Sequence, residues 1–573
     1  MKRFLLVLPL VLASLSGLSA QAAALRPNLL LILADDLGFS DAGCYGGEIR
    51  TPNLDQLARG GLRFAQFYNT ARCCPTRASL LTGLYPHQAG LGAMTADAGP
   101  QFPGYRGQLS DQCVTIAQVL KGAGYRTYMS GKWHVGDRID PTSRGFDEFY
   151  GFVRGYAVDS WDERMMLRLP EGRPARHYDT GKFFATDAIT DHALDFLTTA
   201  RTGARAPWFL YLAYQVPHFP LQTRPDDAQG YAQLYAQGWD KIREQRLARL
   251  KELGLVTADT PLTARSAIPK PDIAARIGSQ TADGNNPSWA SLAADRRADL
   301  AQRMAVYAGM VTGLDRDLGR VLDDLRQHGE LDNTLIFFLS DNGACAEWEP
   351  FGFELQPPTN TPPPGTGINL GTQAAPNVLH RGADLERMGG PGCMFGYGSG
   401  WANACNTPWR LYKHYNHEGG ISSPLIVHWP KGLRVKPGSI THQPGHVIDI
   451  MATCADVAGA EYPAELNGQK ILPAQGRSLL PVFDGKPIQR DFLAWEHEGN
   501  RAIRTGNWKL VSIHDGPWEL YDIGADRTEL NNLAGQFPDR VKTMAEQWEA
   551  WARRTQVLPA PGGPKGGKKE ITR

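Results

Sequence analysis

The sequence predicts an α/β fold built on a large mixed, mostly parallel sheet that is sandwiched by helices. Three apolar runs carry this prediction, and each ends in polar or charged residues: Asn28–Ala34, Trp208–Tyr214 and Thr334–Leu339. Because none of them alternates, they are typical of parallel strands that are buried on both faces. The 573 residues, 42% of them hydrophobic, are enough for one large α/β domain and a smaller unit appended to it.

The charge of the chain is nearly balanced. Sixty Lys and Arg residues against 59 Asp and Glu residues leave a formal net charge of +1. A balance of this kind provides no long-range field that would attract nucleic acid or an anionic membrane. We therefore expect no nucleic-acid partner, and we expect any preference for anions to be local.

The N-terminus has the pattern of a secretory signal peptide. Lys2 and Arg3 precede the apolar run Phe4–Ala13, and small residues follow it. The apolar run is shorter than the ~20 residues that a membrane span needs. The sequence therefore predicts a signal peptide over residues 1–24 and an exported protein, periplasmic or secreted, without stable membrane insertion.

Acidic and amide side chains follow the first and the last of the three apolar runs. Asp35 and Asp36 end the first run, and adjacent carboxylates repel each other unless a metal ion or an arginine lies between them. Asp341 and Asn342 follow the last run and offer the oxygen ligands that calcium or magnesium prefers. Read alone, both pairs are equally compatible with solvated turns.

A helix that begins with a thiol lies in the segment CCPTRASLLTG, residues Cys73 to Gly83. Pro75 fits the first helical turn, so we expect Cys73 just before the helix N-terminus. Unpaired amides, the helix dipole and Arg77 would favour an anion there. The alternative for an isolated motif is a buried or disulfide-bonded cysteine.

Two further strand ends carry basic side chains. Lys132 and His134 follow the predicted strand Tyr125–Ser130, and residues two apart share one face of an extended chain. His218 lies on a loop, because Pro217 stops the strand before it. Taken singly, these are ordinary surface or core residues. In an open parallel sheet, however, functional groups gather beyond the carboxyl ends of the strands, so we expect them to share one cleft.

The middle of the chain has the pattern of helices and loops that support the fold without a catalytic role. Tyr235–Leu253 and Leu300–Leu325 have apolar residues at helical spacing. Glu347–Asn406 is rich in Pro, Gly, Asn and Thr, which predicts a long ordered loop above the cleft, with low-complexity disorder as the alternative. Within it, Cys393 and Cys405 flank a glycine-rich stretch and are a weak candidate for a disulfide.

Several of these motifs together resemble one family. The segment Cys73–Gly83 resembles the signature of the cysteine-type, formylglycine-dependent sulfatases of the alkaline phosphatase superfamily. Gly131–Gly136, the loop of His218 and the Lys413 block before Glu-Gly-Gly resemble further sulfatase motifs, and Cys345–Phe353 resembles the bacterial arylsulfatases. The resemblance spans nearly the whole mature chain and implies an alkaline-phosphatase-like fold.

The resemblance also implies a domain organisation. It indicates a catalytic sulfatase domain over residues 25–464 and a C-terminal subdomain over 465–556, a small antiparallel sheet with a helix. Short strand patterns and the helical segment Arg540–Arg553 agree with such a subdomain. The last residues, 557–573, are too rich in Pro, Gly and Lys to pack, and we expect them to be disordered.

The activity implied is hydrolysis of sulfate esters, aryl sulfates in particular, to inorganic sulfate and a phenol or alcohol. A maturation enzyme would convert Cys73 to formylglycine (3-oxoalanine), whose hydrate is the nucleophile. Arg77 and Lys132 would neutralise and orient the nucleophile, and His134 would take a proton from it. His218 and Lys413 would contact the sulfate and protonate the leaving oxygen.

The resemblance implies one divalent cation as well. Asp35, Asp36, Asp341 and Asn342 would bind it, and it would be Ca²⁺ as in most members of the family, with Mg²⁺ as the alternative. Two other functions remain open from the sequence. Relatives that hydrolyse phosphonate monoesters or phosphodiesters use the same cysteine motif, and a non-catalytic sulfate- or glycan-binding protein would leave Cys73 unconverted.

Overall fold

The structure is a computed structural model that describes residues 26–203, 206–265, 286–346, 350–355, 363–368, 375–376, 378–514 and 516–561. The predicted signal peptide, residues 1–24, and residues 562–573 of the predicted tail lie outside this range. Among the helices in the described ranges, none combines the length and the apolar character that a membrane span requires.

The described residues form strands and helices along the whole chain. The strands are β1 (Asn28–Ala34), β2 (Leu62–Tyr68), β3 (Arg126–Lys132), β4 (Glu148–Phe152), β5 (Leu167–Leu169), β6 (Trp208–Ala213), β7 (Thr334–Ser340), β8 (Phe353–Glu354), β9 (Ala375–Pro376), β10 (Ser422–His428), β11 (Ser439–Thr441), β12 (Gly445–His446), β13 (Glu465–Leu466), β14 (Gln469–Lys470), β15 (Leu493–His497), β16 (Asn500–Thr505), β17 (Trp508–Ser512) and β18 (Glu519–Asp522). The helices are α1 (Pro52–Gly60), α2 (Cys73–Thr82), α3 (Ile116–Gly122), α4 (Ala185–Ala200), α5 (Pro225–Ala228), α6 (Tyr231–Tyr235), α7 (Trp239–Glu252), α8 (Ala294–Gln327), α9 (Ala383–Arg387), α10 (Gly398–Cys405), α11 (Glu418–Ile421), α12 (Ile448–Ala458), α13 (Leu480–Phe483) and α14 (Pro538–Arg554).

A ten-stranded mixed sheet is the centre of the fold. Its order is β11-β2-β10-β7-β1-β6-β3-β4-β5, and β12 pairs with β2. The five consecutive strands β7, β1, β6, β3 and β4 are parallel, whereas β10 runs antiparallel to both of its neighbours. The predicted sheet is thus confirmed, and its parallel strands all end at one edge.

Strand β1 shows why the apolar runs do not alternate. Its residues Leu29, Leu31 and Leu33 face one hydrophobic core, while Leu30 and Ile32 face a second core on the other side of the sheet. Helices α1, α4 and α8 pack on one side, and α2, α3 and α12 pack together on the other. Because successive side chains of a strand point to opposite faces, a strand covered on both faces needs apolar residues throughout.

The C-terminal part has its own antiparallel sheet, in the order β15-β16-β17-β18, and α14 packs on β16 and β17. The small sheet with one helix is therefore confirmed. A buried ion network joins it to the rest of the protein: the Lys509 Nζ lies 2.9 Å from Glu418 Oε1, and the Arg527 Nε lies 2.8 Å from Glu418 Oε2. These contacts fix the C-terminal sheet against the segment that follows Lys413.

Two expectations for the loop region were wrong. All eight cysteines lie within the described residues and none of them forms a disulfide, so the Cys393–Cys405 pair does not exist. Cys405 instead packs against the loop after β1, where a Cβ on Gly38 would lie 2.6 Å from the Cys405 Cβ. Cys405 also belongs to the wholly buried helix α10, in a region where the sequence predicted a loop. Glycine-rich composition here serves close packing, since a Cβ on Gly400 would lie 2.5 Å from the Trp239 ring.

Candidate active site

Three carboxylates and an amide meet at the carboxyl edge of the sheet. Asp35 and Asp36 follow β1, and Asp341 and Asn342 follow the neighbouring parallel strand β7. All four side chains are buried. The Asp36 backbone N–H donates to Asp341 Oδ1 at 3.2 Å, and Asn342 Nδ2 donates to Asp36 Oδ1 at 2.6 Å. The predicted group of oxygen ligands is therefore one cluster, although its halves are about three hundred residues apart.

Two predicted cations contact this cluster from α2 and β3. The Arg77 Nη2 lies 3.2 Å from Asp35 Oδ2 and 2.9 Å from Asp341 Oδ2, and its Nη1 donates to the Lys132 carbonyl at 2.8 Å. The Lys132 Nζ lies 2.5 Å from the same oxygen of Asp35. Arg77 and Lys132 thus converge on one face of the carboxylates.

Two more predicted residues contact Asp36. The Lys413 Nζ lies 3.0 Å from Asp36 Oδ1, and the His218 Nε2 lies 3.5 Å from Asp36 Oδ2. The His218 Nδ1 is 2.5 Å from the Phe219 carbonyl oxygen, which fixes the orientation of the ring. Burial lowers the pKa of His218, although the charges of Asp36 and Asp35 oppose this shift. Lys413 and His218 therefore lie together at the Asp36 side of the cluster.

The electrostatics of the cluster favour an additional cation. Burial raises the pKa of Asp35, but Lys132, His218 and Arg77 outweigh it and hold that pKa below its ordinary value. Burial and the nearby Asp35 charge raise the pKa of Asp341 well above its ordinary value. Among the described residues, the buried atoms Asp35 Oδ1 and Asn342 Oδ1 have no hydrogen-bond partner. Carboxylate and amide oxygens without partners are the donor set that a hard divalent cation takes.

The predicted thiol lies beside the predicted proton acceptor. Cys73 is the first residue of α2, and Arg72 is its N-cap. The Cys73 Sγ, the Cys74 Sγ and a ring nitrogen of His134 all lie within 4.8 Å of one another. A hydrogen bond from Cys74 lowers the pKa of Cys73 well below its ordinary value, and the charge of Lys132 acts in the same direction against burial. The surroundings of the encoded residue therefore favour the thiolate form over the thiol.

His134 reaches the thiol in a different way from the one expected. The sequence placed Lys132 and His134 on one strand face, but β3 ends at Lys132 and His134 has a left-handed backbone with φ 55°. The turn, and not strand alternation, brings the imidazole to Cys73. Burial lowers the pKa of His134 to about 4, with Cys73 opposing and Lys132 reinforcing the shift. The ring is thus neutral near pH 7.

A small, mostly apolar pocket adjoins the Asp36 side of the cluster. The lining residues are Asp36, Pro217, Phe219, Cys345, Phe353, Gly396, Tyr397 and Gly398. The rings of Phe219 and Phe353 meet edge to face with centroids 5.0 Å apart. The pocket adjoins His218 through Pro217 and Phe219, and the Cys345 Sγ lies 4.0 Å from the Lys413 Nζ.

One supporting residue was missed by the sequence. The Tyr307 hydroxyl lies 2.6 Å from Asp41 Oδ2 and 3.3 Å from the Asp36 carbonyl oxygen. Asp36 itself has a left-handed backbone, with φ 67°, which is uncommon for residues other than glycine although aspartate adopts it more readily than most. Tyr307 lies within the long helix α8, where an apolar pattern predicts packing only, so the sequence carries no signal for this contact.

Comparisons with known proteins identify the family of the chain. A family model described as Sulfatase matches residues 27–460, and a second, described as N-sulphoglucosamine sulphohydrolase, C-terminal, matches residues 409–551. The crystal structure of Ps i-CgsB in complex with k-i-k-neocarrahexaose shares the fold with a TM-score of 0.61 at 24% identity. That match covers 93% of this chain and 98% of that chain.

Two sequence relatives extend the likeness over most of the chain. An uncharacterized sulfatase of Schizosaccharomyces pombe is 35% identical over 570 residues, which is 94% of this chain and 96% of the relative. An arylsulfatase of Klebsiella aerogenes is 31% identical over 484 residues, which is 82% of this chain and 95% of the relative. The chain therefore belongs to the sulfatase family and is a sulfuric ester hydrolase.

Proposed function

We propose that this sulfatase hydrolyses aryl sulfates, with formylglycine formed from Cys73 as its nucleophile and one divalent cation as its cofactor. The products would be inorganic sulfate and a phenol or alcohol. The observation that carries the proposal is the convergence of Asp35, Asp36, Asp341 and Asn342 with a thiol of depressed pKa at the carboxyl edge of one parallel sheet.

The four oxygen-bearing residues would hold Ca²⁺, with Mg²⁺ as the alternative. Two buried oxygens that have no hydrogen-bond partner in the described part of the chain, Asp35 Oδ1 and Asn342 Oδ1, support this assignment. The three carboxylates are already balanced by Arg77, Lys132 and Lys413, so a divalent cation would leave the site with a formal charge of about +2. When bound, the cation would polarise a sulfate oxygen. The excess positive charge would bind the anionic ester and stabilise charge on the leaving oxygen.

The residues around Cys73 would serve the nucleophile. Formylglycine at this position supplies an aldehyde hydrate, which occupies the place of the thiol in the structure. Arg77 and Lys132 would orient it, since both contact Asp35 in a buried site. His134 is neutral near pH 7, because its pKa is about 4, so a ring nitrogen is available to accept a proton.

The Asp36 side of the site would receive the leaving group. His218 and Lys413 lie next to Asp36 and would contact the ester and protonate its leaving oxygen. The adjoining pocket is lined by Phe219, Phe353 and other apolar residues. Apolar and aromatic side chains beside the leaving group favour contact with an aromatic ring, which supports aryl sulfates as substrates.

The proposal also includes the domain organisation, the cellular location and the partners of the protein. We propose a catalytic domain of residues 25–464, a C-terminal subdomain of residues 465–556 and a tail of 557–573. The first residue of this tail, Val557, is buried and accepts a hydrogen bond from the Tyr105 hydroxyl, so disorder would begin only after it. The protein would be exported to the periplasm or secreted by its signal peptide. Its partners would be the sulfate ester and the enzyme that converts Cys73.

The mass of one tryptic peptide tests the nucleophile. Trypsin cleaves after Arg72 and Arg77, which releases Cys73–Arg77, CCPTR. After thiol alkylation, conversion predicts a single alkyl tag, on Cys74, and an aldehyde at Cys73, so Cys74 is an internal control for labelling. Two tags on a fully active protein would overturn the formylglycine mechanism.

Parallel assays test the reaction. We expect turnover of p-nitrophenyl sulfate and a much lower kcat/KM for bis-p-nitrophenyl phosphate. The reverse ranking would support the phosphodiesterase alternative. A Cys73→Ser variant, which offers no thiol for conversion, is the control for background hydrolysis.

A further inference from the structure

A cluster of polar side chains includes the residue that directly precedes the proposed nucleophile in the chain. It consists of Arg72, His414 and Glu498, which we call the Arg72 cluster. The Arg72 Nη1 lies 3.0 Å from His414 Nδ1 and contacts Glu498 Oε1, and His414 Nδ1 lies 2.9 Å from Glu498 Oε2. The side chain of Glu498 is 40% exposed, whereas those of Arg72 and His414 are 15% and 16% exposed.

The backbone places this cluster beside the active site. Arg72 directly precedes Cys73, and His414 directly follows Lys413, so each is a chain neighbour of a proposed catalytic residue. The backbone N–H of His414 donates to the Ala71 carbonyl at 2.9 Å, which holds the two segments together. Glu498 comes from the C-terminal sheet and brings a third segment to the same place.

Glu498 occupies a backbone position that disfavours glutamate. It lies with Gly499 in the two-residue turn between β15 and β16, and the φ angles of the two residues are 51° and 78°. Turns of this kind strongly prefer Asn-Gly. The chain uses that pair in its matching hairpin between β13 and β14, where Asn467 and Gly468 have φ angles of 50° and 74°. The glutamate at position 498 therefore has a role other than forming the hairpin turn.

The chemistry of the cluster indicates what it recognises. The ligand atoms of His414, His497 and Glu498 lie within 4.8 Å of one another, a spacing that also suits a metal ion. The Arg72 guanidinium, however, already contacts both His414 and Glu498 and takes the place of a cation. It also neutralises Glu498, so neither a cationic nor an anionic ligand is favoured. A carboxylate has about four acceptor positions, and hydrogen bonds from the described residues use two of them, which leaves room for a neutral donor.

We propose that Glu498 is a specificity-determining residue, which accepts a hydrogen bond from a neutral hydroxyl group beside the sulfate ester of the substrate. Arg72 and His414 hold the carboxylate in position. This inference rests on the proposed sulfate-ester hydrolysis and deepens it. A sulfated sugar without a second charged group carries such a hydroxyl, whereas p-nitrophenyl sulfate carries none.

Two variants of Glu498 and one matched control test the inference. Glu498→Gln keeps the size and loses the charged acceptor, and Glu498→Asn gives the turn its preferred residue. Asn467→Glu introduces glutamate into the matching hairpin away from the site. For each, kcat/KM is measured on p-nitrophenyl sulfate, glucose 6-sulfate and galactose 6-sulfate, together with Tm.

A role in specificity predicts a selective loss. Because hydrogen bonds to charged groups are the stronger ones, both Glu498 variants should lose about tenfold or more in kcat/KM on the sugar sulfates and change by less than about twofold on p-nitrophenyl sulfate. Glu498→Asn should keep or raise Tm, because it relieves the backbone. Asn467→Glu should lower Tm and leave both activities unchanged.

The possible failures are distinguishable. A wild-type protein with aryl activity but no turnover of either sugar sulfate overturns the inference alone. An equal loss of kcat/KM on all substrates also overturns the inference. So does a lower Tm in Glu498→Asn with unchanged selectivity, because the cluster would then only stabilise the contact between its three segments. A protein that contains formylglycine but turns over no sulfate ester overturns the proposed function and the inference together.

Discussion

The protonation state of His134 gives the sharpest prediction for the proposed mechanism. Burial lowers its pKa to about 4, and Lys132 acts in the same direction, whereas an ordinary histidine has a pKa near 6.5. At pH 5 the imidazole is then roughly 90% neutral, against roughly 3% for an unperturbed ring. A base with this pKa accepts a proton throughout the neutral range. We therefore expect activity to persist well below the pH at which histidine-dependent enzymes usually lose it.

The measurement is a pH profile of kcat/KM on p-nitrophenyl sulfate for protein whose Cys73 conversion has been quantified. The acid limb of wild type should fall near pH 4, and His134→Gln should lower kcat by about 10² to 10⁴, the range for removal of a general acid or base. His428→Gln is the matched control, because burial also lowers the pKa of His428 to about 4 and it lies at the end of β10. The folded fraction is followed by circular dichroism at each pH.

One result would refute this reasoning. An acid limb near pH 6.5 in wild type, absent in His134→Gln and retained in His428→Gln, would mean that the pKa of His134 is close to that of an ordinary histidine. The inferred effect of burial on this pKa would then be wrong, although His134 would still act as the neutral base. A small loss of kcat in His134→Gln would instead remove it from the proposed proton transfer.

Three other predictions concern stability. Glu418→Gln should lower the free energy of unfolding by about 3 to 5 kcal/mol in urea titrations, because the buried Lys509 Nζ, held between Glu418 and Glu529 at 2.9 Å and 2.8 Å, would lose one partner. The folded pKa of His428 lies below its unfolded value, so the unfolded state binds the proton first and stability should fall as the pH drops from 6.5 to 4. In His428→Gln the slope of the unfolding free energy against pH should be smaller by about 1.4 kcal/mol per pH unit in this range, measured by urea titration at several pH values. Chelation should lower Tm and activity together, and Ca²⁺ should restore both, since a ligand at a hundred times its Kd adds about 2.7 kcal/mol.

The sequence predicted the centre of the fold well because the information there is local. Strand β1 has the predicted bounds, Asn28–Ala34, since an uninterrupted apolar run ending in two aspartates leaves little choice. The predicted site residues lie at or next to the carboxyl edge of the sheet for the same reason, since they lie at the ends of strands or in the first turns of α2, with the exception of Lys413, which lies in the segment before α11. The resemblance to a family assigned roles that spacing alone left open.

The remaining features depend on contacts between distant segments. Helix α10 is buried although its glycines suggested a loop, because those glycines allow Trp239 to approach. Cys405 packs against Gly38, which no count of cysteines predicts. The Arg72 cluster forms from three segments that lie more than eighty residues apart in the sequence. Glu498 belongs to it only because the C-terminal sheet packs against the segment of His414. Such contacts leave no periodic trace in a sequence.

The backbone of the site explains why the whole fold is needed to make it. Asp36 and His134 both have left-handed backbones directly after central strands, and conformations of this kind cost about 1 to 3 kcal/mol each. Asp36 also lies beside the buried carboxylate of Asp341, and its charge contributes to the raised pKa of Asp341. A short helical or loop scaffold would relax away from such an arrangement. Two parallel strands buried on both faces do not, because moving either end would open both cores. The strain at Asp36 and His134 is therefore maintained by packing around β1 and β3, and binding of a divalent cation would remove the electrostatic part of that strain while leaving the backbone part in place.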